Sequence, residues 1–152
     1  MQGQGRNSAN KKSKAERLLR KHNLKVTVPR LSVLSVISEK ETATSQPDLE
    51  KILGKSVDRV TLYRVLNAFE EKGILHKIFD LHGTATYALC SDDCPEHIHS
   101  EEHVHFTCSK CNSVYCLDEV TLPAIKVPKG FQLDMVGINA VGVCAHCKSK
   151  IN

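Results

Sequence analysis

The stretch SVDRVTLYRVLNAFEEKGILHKIFD, residues 56–80, changes its hydrophobic period at Gly73 and so decides the fold of the first half of the chain. Before Gly73, apolar residues recur at i, i+3, i+4 and i+7, which predicts an amphipathic helix that buries Leu62, Val65, Leu66 and Phe69. After Gly73, the short alternating runs ILHKIFD and ATYALC flank the turn LHGT, which predicts a small hairpin.

Shorter helical patterns precede this stretch in KAERLLRKHN, VPRLSVLSVISEK and TSQPDLEKILG. The first closes at Asn23, the second has Pro29 in its first turn, and the third begins with Ser45 and Asp48 at capping-box spacing and ends at Gly54. Several short helices followed by a hairpin is the order of a winged helix-turn-helix. We therefore expect an α+β chain whose residues 14–90 form an N-terminal winged helix-turn-helix domain.

The remaining segments differ in composition. Residues 1–13 are polar and basic without an apolar run, so we expect a disordered basic tail and no secretory signal. Residues 91–102, SDDCPEHIHSEE, are turn-rich and predict a hinge or linker. Residues 103–152 contain strand patterns in HVHFTC, SVYCL and FQLDMVGINAVGVC, with a short helix predicted in EVTLPAIKV, which indicates a second, smaller α/β domain.

Composition narrows the class of protein. No run approaches the roughly 18 apolar residues of a membrane span, so we expect a cytoplasmic chain without membrane contact. In that compartment seven cysteines favour metal ligation over a disulfide framework. The net charge of +4 is a mild basic bias that does not by itself indicate a nucleic-acid partner.

Two C-x-x-C motifs, CSKC and CAHC, lie roughly thirty residues apart. Each motif brings two thiolates to one ion from a tight turn, and four thiolates complete the tetrahedral shell of Zn(II) without an open position. The alternative is a chance pairing of free buried cysteines. We expect a structural zinc site formed by Cys108, Cys111, Cys144 and Cys147.

The stretch HVHFTCSKC contributes a second pair of potential ligands, His103 and His105. Both lie on one face of the predicted strand, whereas Cys108 has the opposite parity, so the histidines belong to a separate site. Each C-x-x-C motif is called a knuckle below. If the first knuckle, CSKC, reverses the chain, SVYCL pairs with HVHF. This pairing places Cys116 opposite His103 and Val114 opposite His105. Two ordinary surface histidines are the alternative, but further donors crowd the preceding stretch: Cys90, Cys94, His97, His99, Glu101 and Glu102.

The ordered motifs KVTVPR, VTLYRVLNAFEEKGIL, TYALC, HVHFTCSKC, GF and GVCAHC resemble the ferric uptake regulator (Fur) superfamily of bacterial metal-sensing repressors, over residues 14–148. The resemblance implies a winged-helix DNA-binding domain, a C-terminal α/β dimerisation domain with a four-cysteine zinc site, and a homodimer. It also implies that metal bound near the hinge fixes the two DNA-binding domains in operator-binding geometry.

The resemblance also assigns roles to individual residues. The four knuckle cysteines match the family's structural zinc site, and His103 and His105 match the H-x-H of its sensory site. His76 and Cys90 stand where the zinc uptake regulators (Zur) carry ligands, and Cys116 stands where the family often has an acidic ligand. An exposed wing residue and a buried small side chain are the alternatives for His76 and Cys90. ETATSQPDL and DMVGINAVG lack histidines that other members carry, so a third family site is predicted to be missing or rebuilt.

Thiolate and imidazole donors together suit Zn(II), whereas carboxylate-rich sites favour harder ions. We expect a second, regulatory Zn(II), with Fe(II) as the alternative because imidazoles accept it too; peroxide sensing is less favoured. His76 and Cys90 precede the hinge, and His103 and His105 follow it. A metal joining these groups would cross-link the two domains.

On the helix that follows Asp58, the apolar stripe leaves an outward row with Arg64 beside it, as a recognition helix requires. The row consists of Arg59, Tyr63 and Asn67. Without the resemblance, a solvated helix face would be the better explanation of these residues. With it, Tyr63 and Arg64 match the family's YR contact pair, and Lys25 and Arg30 match its backbone and minor-groove contacts. The expected partner is palindromic, A·T-rich double-stranded DNA.

Two other function classes fit the sequence less well. A zinc hydrolase would use Glu101 or Glu102 as base, but no H-E-x-x-H motif is present and the candidate site has many protein ligands. A thiol redox protein would use one C-x-x-C, whereas two matched knuckles indicate metal. We therefore expect a regulator and not an enzyme.

Overall fold

A computed structural model describes residues 5–90, 104–120, 123–134 and 136–150. For residues 5–9 and 11 it describes the backbone but not the side chains. Its first half has the predicted winged helix-turn-helix fold. Four helices precede and surround a small antiparallel sheet of order β1-β3-β2. The elements are α1 (Gly5–Lys21), α2 (Val28–Ser38), β1 (Thr44–Ser45), α3 (Gln46–Leu53), a single 3₁₀ turn (Gly54–Ser56), α4 (Arg59–Glu71), β2 (Leu75–Phe79) and β3 (Ala85–Leu89).

Local side-chain chemistry sets the limits of α3 and α4. The Ser45 hydroxyl caps α3 by accepting a 3.2 Å hydrogen bond from the amide of Asp48. The Asp58 carboxylate caps α4 by accepting a 3.0 Å bond from the amide of Thr61. α4 ends where Gly73 adopts φ +69°, a left-handed conformation that glycine reaches without a Cβ clash.

The main hydrophobic core lies between these helices and the hairpin. The predicted stripe of α4 is buried, with Leu62 and Phe69 fully inaccessible to solvent. Residues from every helix of this half contribute, namely Leu19, Val33, Leu34, Ile37, Leu49, Leu53, Val57, Leu62, Val65, Leu66, Phe69, Ile74, Leu75 and Tyr87. The core therefore fixes which face of α4 is turned outward.

The disordered tail predicted for residues 1–13 is wrong from Gly5 onward, because α1 begins there. The buried Leu19 and the half-buried Ala15 and Leu18 hold the C-terminal turns of α1 against the core. Once a helix is nucleated, each further residue adds one hydrogen bond at little cost, and no proline interrupts residues 5–21.

The second half is a small α/β unit, as predicted. Its elements are β4 (Val104–Cys108), β5 (Val114–Leu117), β6 (Ile138–Gly142) and α5 (Ala145–Ser149). β4 lies centrally, antiparallel to β5 and parallel to β6. The short helix predicted in EVTLPAIKV is not formed over residues 123–127, which are irregular; Pro123 and Pro128 lie in and beside this stretch.

Hydrophobic burial is sparse in this second unit. Among its described residues only Val104, Cys108, Val114 and Cys144 are buried apolar side chains. A core this thin needs an additional restraint such as a metal ion.

The two halves meet through a backbone hydrogen bond and a group of side chains. The amide of Ala43, just before β1, donates a 2.8 Å bond to the carbonyl of Val114 on β5. Side chains from β2, β4 and β5 converge at the same junction. None of the helices in the described ranges has the length and apolar content that a bilayer crossing needs.

Candidate metal centres and nucleic-acid interface

The two C-x-x-C knuckles converge on one point. The sulfur atoms of Cys108, Cys111, Cys144 and Cys147 all lie within 4.8 Å of one another. The Sγ atoms of Cys111 and Cys144 are 3.8 Å apart. Two thiolates that share a tetrahedral Zn(II) at bonds of about 2.3 Å are separated by about 3.8 Å, the spacing of this pair, so the donor set and its convergence fit zinc.

Backbone amides favour the ionised form of two of these thiols. The Cys108 sulfur accepts hydrogen bonds from the amides of Cys144, at 3.3 Å, and Lys110, at 3.4 Å. Such bonds, with the Cys144 amide contributing most, lower the pKa of Cys108 to about 6. The amide of Cys147 likewise lowers the pKa of Cys144. Zinc binds thiolates, so this local electrostatics suits a four-cysteine site.

Burial acts in the opposite direction on the fourth thiol, raising the pKa of Cys147 to about 12. A metal ion deprotonates a coordinating thiol outright, so this proton is released when the site is filled. The fold therefore favours the thiolate form of Cys108 and Cys144, whereas Cys147 needs the metal ion to lose its proton.

The first knuckle turns the chain by a longer loop than predicted. The amide of Cys108 bonds to the carbonyl of Ser113, at 2.9 Å, and Asn112 takes a left-handed φ of +61° inside the turn. Four residues, 109–112, therefore lie outside the ladder. The predicted register is wrong by two positions: Cys116 lies opposite His105, and Thr107 lies opposite Val114. Since side chains repeat every two residues along a strand, Cys116 keeps the face of His105.

A second group of ligand atoms lies at the junction of the two halves. His76 from β2, His105 from β4 and Cys116 from β5 place their ligand atoms within 4.8 Å of one another. The Nε2 atom of His76 lies 3.0 Å from Sγ of Cys116, and the centroids of the two imidazoles are 5.5 Å apart. Imidazole and thiol donors in one cluster fit Zn(II).

The second cluster is shielded from solvent. His105 is buried, with 5% of its surface exposed, and His76 and Cys116 are half-buried. Burial, with a smaller contribution from the Asp118 carboxylate, raises the pKa of Cys116 to about 12. The thiol is neutral at pH 7 until a cation offsets the cost of its charge.

The structure divides the predicted regulatory residues into three groups. His76, His105 and Cys116 form one cluster. Cys90 lies on the opposite side of the His76 ring, with its Sγ atom 3.4 Å from Nδ1. His103 lies outside the described residues, as do the five donors predicted nearby: Cys94, His97, His99, Glu101 and Glu102.

The outward face of α4 presents cationic and aromatic side chains. Tyr63 is 55% exposed, and Arg59 and Arg64 are also exposed. Arg59 is held by a 3.3 Å ion pair with Glu50 on α3. Val60, 59% exposed, lies on the same face and was missed from the sequence, although it falls outside the buried i, i+3, i+4 stripe. An exposed apolar side chain beside arginines can contact a thymine methyl group.

The other two predicted contact residues lie together at the start of α2. The guanidinium of Arg30 donates a 2.7 Å hydrogen bond to the carbonyl of Lys25. This bond fixes the chain that enters α2, while the Lys25 side chain remains exposed.

A winged helix-turn-helix joined to a four-cysteine knuckle unit, with a His/Cys cluster at their junction, defines a metal-responsive DNA-binding regulator. The profile of the Ferric uptake regulator family matches residues 21–138. The chain belongs to this family, whose members are transcriptional regulators and not enzymes.

Individual relatives include iron and zinc regulators. The chain is 31% identical over 140 residues to the ferric uptake regulation protein of Neisseria meningitidis serogroup A, covering 87% of this chain and 92% of that one. It is also 31% identical over 143 residues to the zinc uptake regulation protein of Escherichia coli K12, covering 89% and 80%. A solved zinc uptake regulator complexed with zinc and DNA is 26% identical, with a TM-score of 0.67 over 94% of this chain and 96% of that chain. Overall identity therefore leaves the sensed metal open.

Proposed function

We propose that this protein is a zinc-sensing transcriptional repressor that controls metal-uptake genes. One observation carries the proposal: His76 of the winged-helix domain lies 3.0 Å from Cys116 of the second domain, with the buried His105 beside them. A ligand held by all three side chains stabilises one arrangement of the two domains over others. Cys90 and His103 are the remaining candidate residues of this site.

The donor types favour zinc over iron. The described cluster contains two imidazoles and a thiol, and a second thiol, that of Cys90, touches His76. Soft thiolates select zinc, whereas Fe(II) sensors of this chemistry would be expected to use more carboxylate. Zinc when bound supplies a positive charge that ionises the thiol and draws the ligand groups together.

Coupling between metal and DNA follows from the position of the site. Allosteric couplings are typically about 1–3 kcal/mol, which would correspond to about 5–150-fold in DNA affinity. By thermodynamic reciprocity, operator DNA tightens zinc binding by the same factor. The structural zinc site, assigned to Cys108, Cys111, Cys144 and Cys147, has no open coordination position and serves to stabilise the second domain.

The proposed DNA interface combines the outward face of α4 with the start of α2. Tyr63, Arg59 and Arg64 enter the major groove, while Lys25 and Arg30 contact the backbone and minor groove. The core packing of α4 turns these side chains outward, which supports the assignment. The expected operator is palindromic and A·T-rich.

We propose that a homodimer presents two such interfaces to the palindrome. β6 is one of the two edge strands of the second sheet, and it exposes 56% of Val141. An exposed apolar edge strand is a ready surface for pairing with another chain. A two-fold dimer built there matches the symmetry of the expected operator.

The test is a DNA-binding titration of full-length protein with its tight zinc retained. Zn(II) or anaerobic Fe(II) is added at buffered concentrations while binding to labelled palindromic A·T-rich DNA is followed by anisotropy. We expect a second Zn(II) per chain to raise affinity in the wild type and to have no effect in His105→Ala, whereas His146→Ala, an exposed histidine within the second knuckle, responds normally. A response to Fe(II) and none to Zn(II) would establish the iron-sensing alternative. No response to either metal would refute metal-dependent repression.

A further inference from the structure

Basic side chains on α1 form a row that faces away from the core. Lys14, Arg17 and Lys21 are all exposed, whereas Leu19 is buried on the other side of the helix. Positions 14, 17 and 21 follow the i, i+3, i+7 spacing, so their side chains share one face and span roughly 10 Å along the helix axis. We call these three residues the α1 row.

The like charges of the α1 row repel one another. Arg17 is three residues from Lys14 and four from Lys21, which are the two spacings at which side chains on a helix are neighbours. Glu16 is the one acidic residue among the described side chains of α1. Within the part of the chain that the structure describes, no ion pair engages any of the three cations. A bound polyanion would therefore relieve a repulsion that the folded chain leaves uncompensated.

The helix dipole explains only part of this arrangement. Lys21 lies in the last turn of α1, where the partial negative charge of the helix end stabilises cations. Arg17 and Lys14 lie about one and two turns earlier, where that effect has faded. The Nε atom of Arg17 donates a 3.4 Å hydrogen bond to the carbonyl of Ser13, which uses one of the five N–H donors of the guanidinium. These two cations therefore favour an external anion.

The α1 row leads directly to the proposed DNA contacts at the start of α2. Asn23 takes a left-handed φ of +56°, and the amide of Leu24 donates a 2.8 Å hydrogen bond back to the carbonyl of Leu19. This cap holds the backbone against the last turn of α1. The exposed Lys25 therefore follows at the same end of the helix as Lys21.

We propose that the α1 row is a second DNA-binding surface, which contacts phosphate groups of the DNA backbone next to those that Lys25 meets. The inference rests on the proposed function, because it takes the start of α2 to lie on DNA. One DNA strand advances about 3.4 Å along the axis for each phosphate, so a row of roughly 10 Å matches about three phosphates.

The chemistry of the helix favours DNA over an anionic membrane. A helix that lies on a bilayer buries its apolar face in the lipid, and the apolar face of α1 is packed into the protein core through Leu19. Phosphate contacts carry no sequence information. The α1 row should therefore strengthen binding to operator-like and unrelated DNA by the same factor.

The salt dependence of DNA binding tests the proposal. Full-length protein that retains its tight zinc is loaded with Zn(II) or, anaerobically, with Fe(II), whichever supports binding. It is titrated against a palindromic A·T-rich duplex and an unrelated G·C-rich duplex at several salt concentrations. The α1 variant combines Lys14→Gln, Arg17→Gln and Lys21→Gln. The control variant removes the same charge from exposed positions of the second domain by combining Lys126→Gln, Lys129→Gln and Lys150→Gln.

We expect the slope of log affinity against log salt concentration to become smaller in magnitude in the α1 variant. Each lost phosphate contact contributes about 0.9 to this slope, so the change should be about 2–3 for each bound chain. It should be equal on both duplexes, and the control variant should keep the wild-type slope. Glutamine is a good helix former and the substitutions remove repulsion, so the unfolding temperature should match or exceed that of the wild type.

The other outcomes overturn the inference in distinct ways. A wild-type slope in the α1 variant would refute it and leave the proposed function intact. An equal change in the α1 and control variants would show an effect of net charge alone. A changed ratio of affinities for the two duplexes would show base reading in place of phosphate contact. Failure of the wild type to bind either duplex with either metal would refute the proposed function and this inference with it.

Wild-type protein gives a check that does not depend on the folding of a variant. Lysines of the metal-loaded protein are acetylated with an N-hydroxysuccinimide ester, with and without the unrelated duplex, and quantified by mass spectrometry. DNA should protect Lys14 and Lys21, whereas Lys126 should react at the same rate in both samples. Unchanged rates at Lys14 and Lys21 would contradict the inference.

Discussion

The backbone amide of Ala43 in the winged-helix domain donates a 2.8 Å hydrogen bond to the carbonyl of Val114 in the second domain. This bond bridges the same two halves that His76 and Cys116 bridge through side chains. It therefore favours the domain arrangement in which the regulatory cluster is assembled, without itself contributing a ligand.

Ala43→Pro removes the donor of this bond and should weaken the regulatory site. A net hydrogen bond contributes about 0.5–1.5 kcal/mol, so we expect zinc affinity at the second site to fall by about 2–12-fold. The measurement is competition with a chromophoric chelator, and Ala43→Ser, which keeps the amide, is the matched control. Equal affinities in the two variants would show that the bond does not support the site.

Substitution of Cys111 should remove the structural zinc. Cys111 is exposed, so Cys111→Ser creates no cavity and leaves the three remaining thiols in place. We expect the tightly held zinc per chain to fall by one equivalent and the unfolding temperature of the second domain to decrease, because its own apolar core is thin. In Cys116→Ser the tight zinc should remain, and retention of that zinc in Cys111→Ser would contradict the four-cysteine assignment.

The cap of the recognition helix should produce a defined pH dependence. Hydrogen bonds from the hydroxyl and amide of Thr61 hold the pKa of Asp58 below its ordinary value of 3.8. The folded chain binds this proton less readily than the unfolded chain, so the cap stabilises above the ordinary pKa and its contribution is lost as the pH falls through the lowered value. Urea unfolding should show this acid loss in the wild type.

Asp58→Asn is the control for the cap, because asparagine caps helices without titrating. Its stability relative to the wild type should improve on acidification, and Asp58→Ala should be less stable than both at neutral pH. Parallel pH profiles for wild type and Asp58→Asn would show that Asp58 is not the titrating group.

Arg64 should affect DNA binding without affecting the fold. Its side chain is exposed on α4, so Arg64→Ala should change the free energy of unfolding by no more than about 0.5 kcal/mol. If Arg64 reads a base, operator binding by the zinc-loaded protein should weaken by about 1–3 kcal/mol. If Arg64 contacts phosphate instead, the slope of log affinity against log salt concentration should become smaller in magnitude by about one. Lys72→Ala removes an exposed charge just after the same helix and should leave both quantities unchanged. Unaltered DNA binding in Arg64→Ala would exclude it from the interface.

Val141 should be required for dimerisation. A lysine on the exposed edge of β6 opposes pairing with a second chain, so Val141→Lys should elute as a monomer in light-scattering chromatography. Ile52→Lys, at an exposed apolar position of α3, serves as the matched surface substitution and should remain dimeric. A dimer that persists in Val141→Lys would place the interface elsewhere.

Helices and their ends followed directly from the sequence in the first half of the chain. The stripe from Leu62 to Phe69, the cap at Ser45 and the stop at Gly73 are local features, governed by a repeat of 3.6 residues and by the conformations of single residues. The extent of α1 before Lys14 was not predicted, because the helicity of this part depends on extension from packed turns and not on an apolar pattern of its own.

Strand register could not be read from the sequence in the same way. The knuckle loop takes four residues, with Asn112 in a left-handed conformation, and this loop length shifts Cys116 from His103 to His105. The assignment of Cys116 to one face survived because a shift of two residues preserves parity. Its exact neighbour depended on the turn.

The sequence by itself determined the class of this protein: two C-x-x-C motifs, a recognition-helix pattern and a hairpin are encoded over short spans. Tertiary structure alone decided how His76 relates to Cys90 and Cys116, since Cys116 lies 40 positions away along the chain. Both thiols were candidate ligands in the sequence. The folded chain places them on different nitrogens of one ring, because two domains that fold through separate local patterns meet at that imidazole.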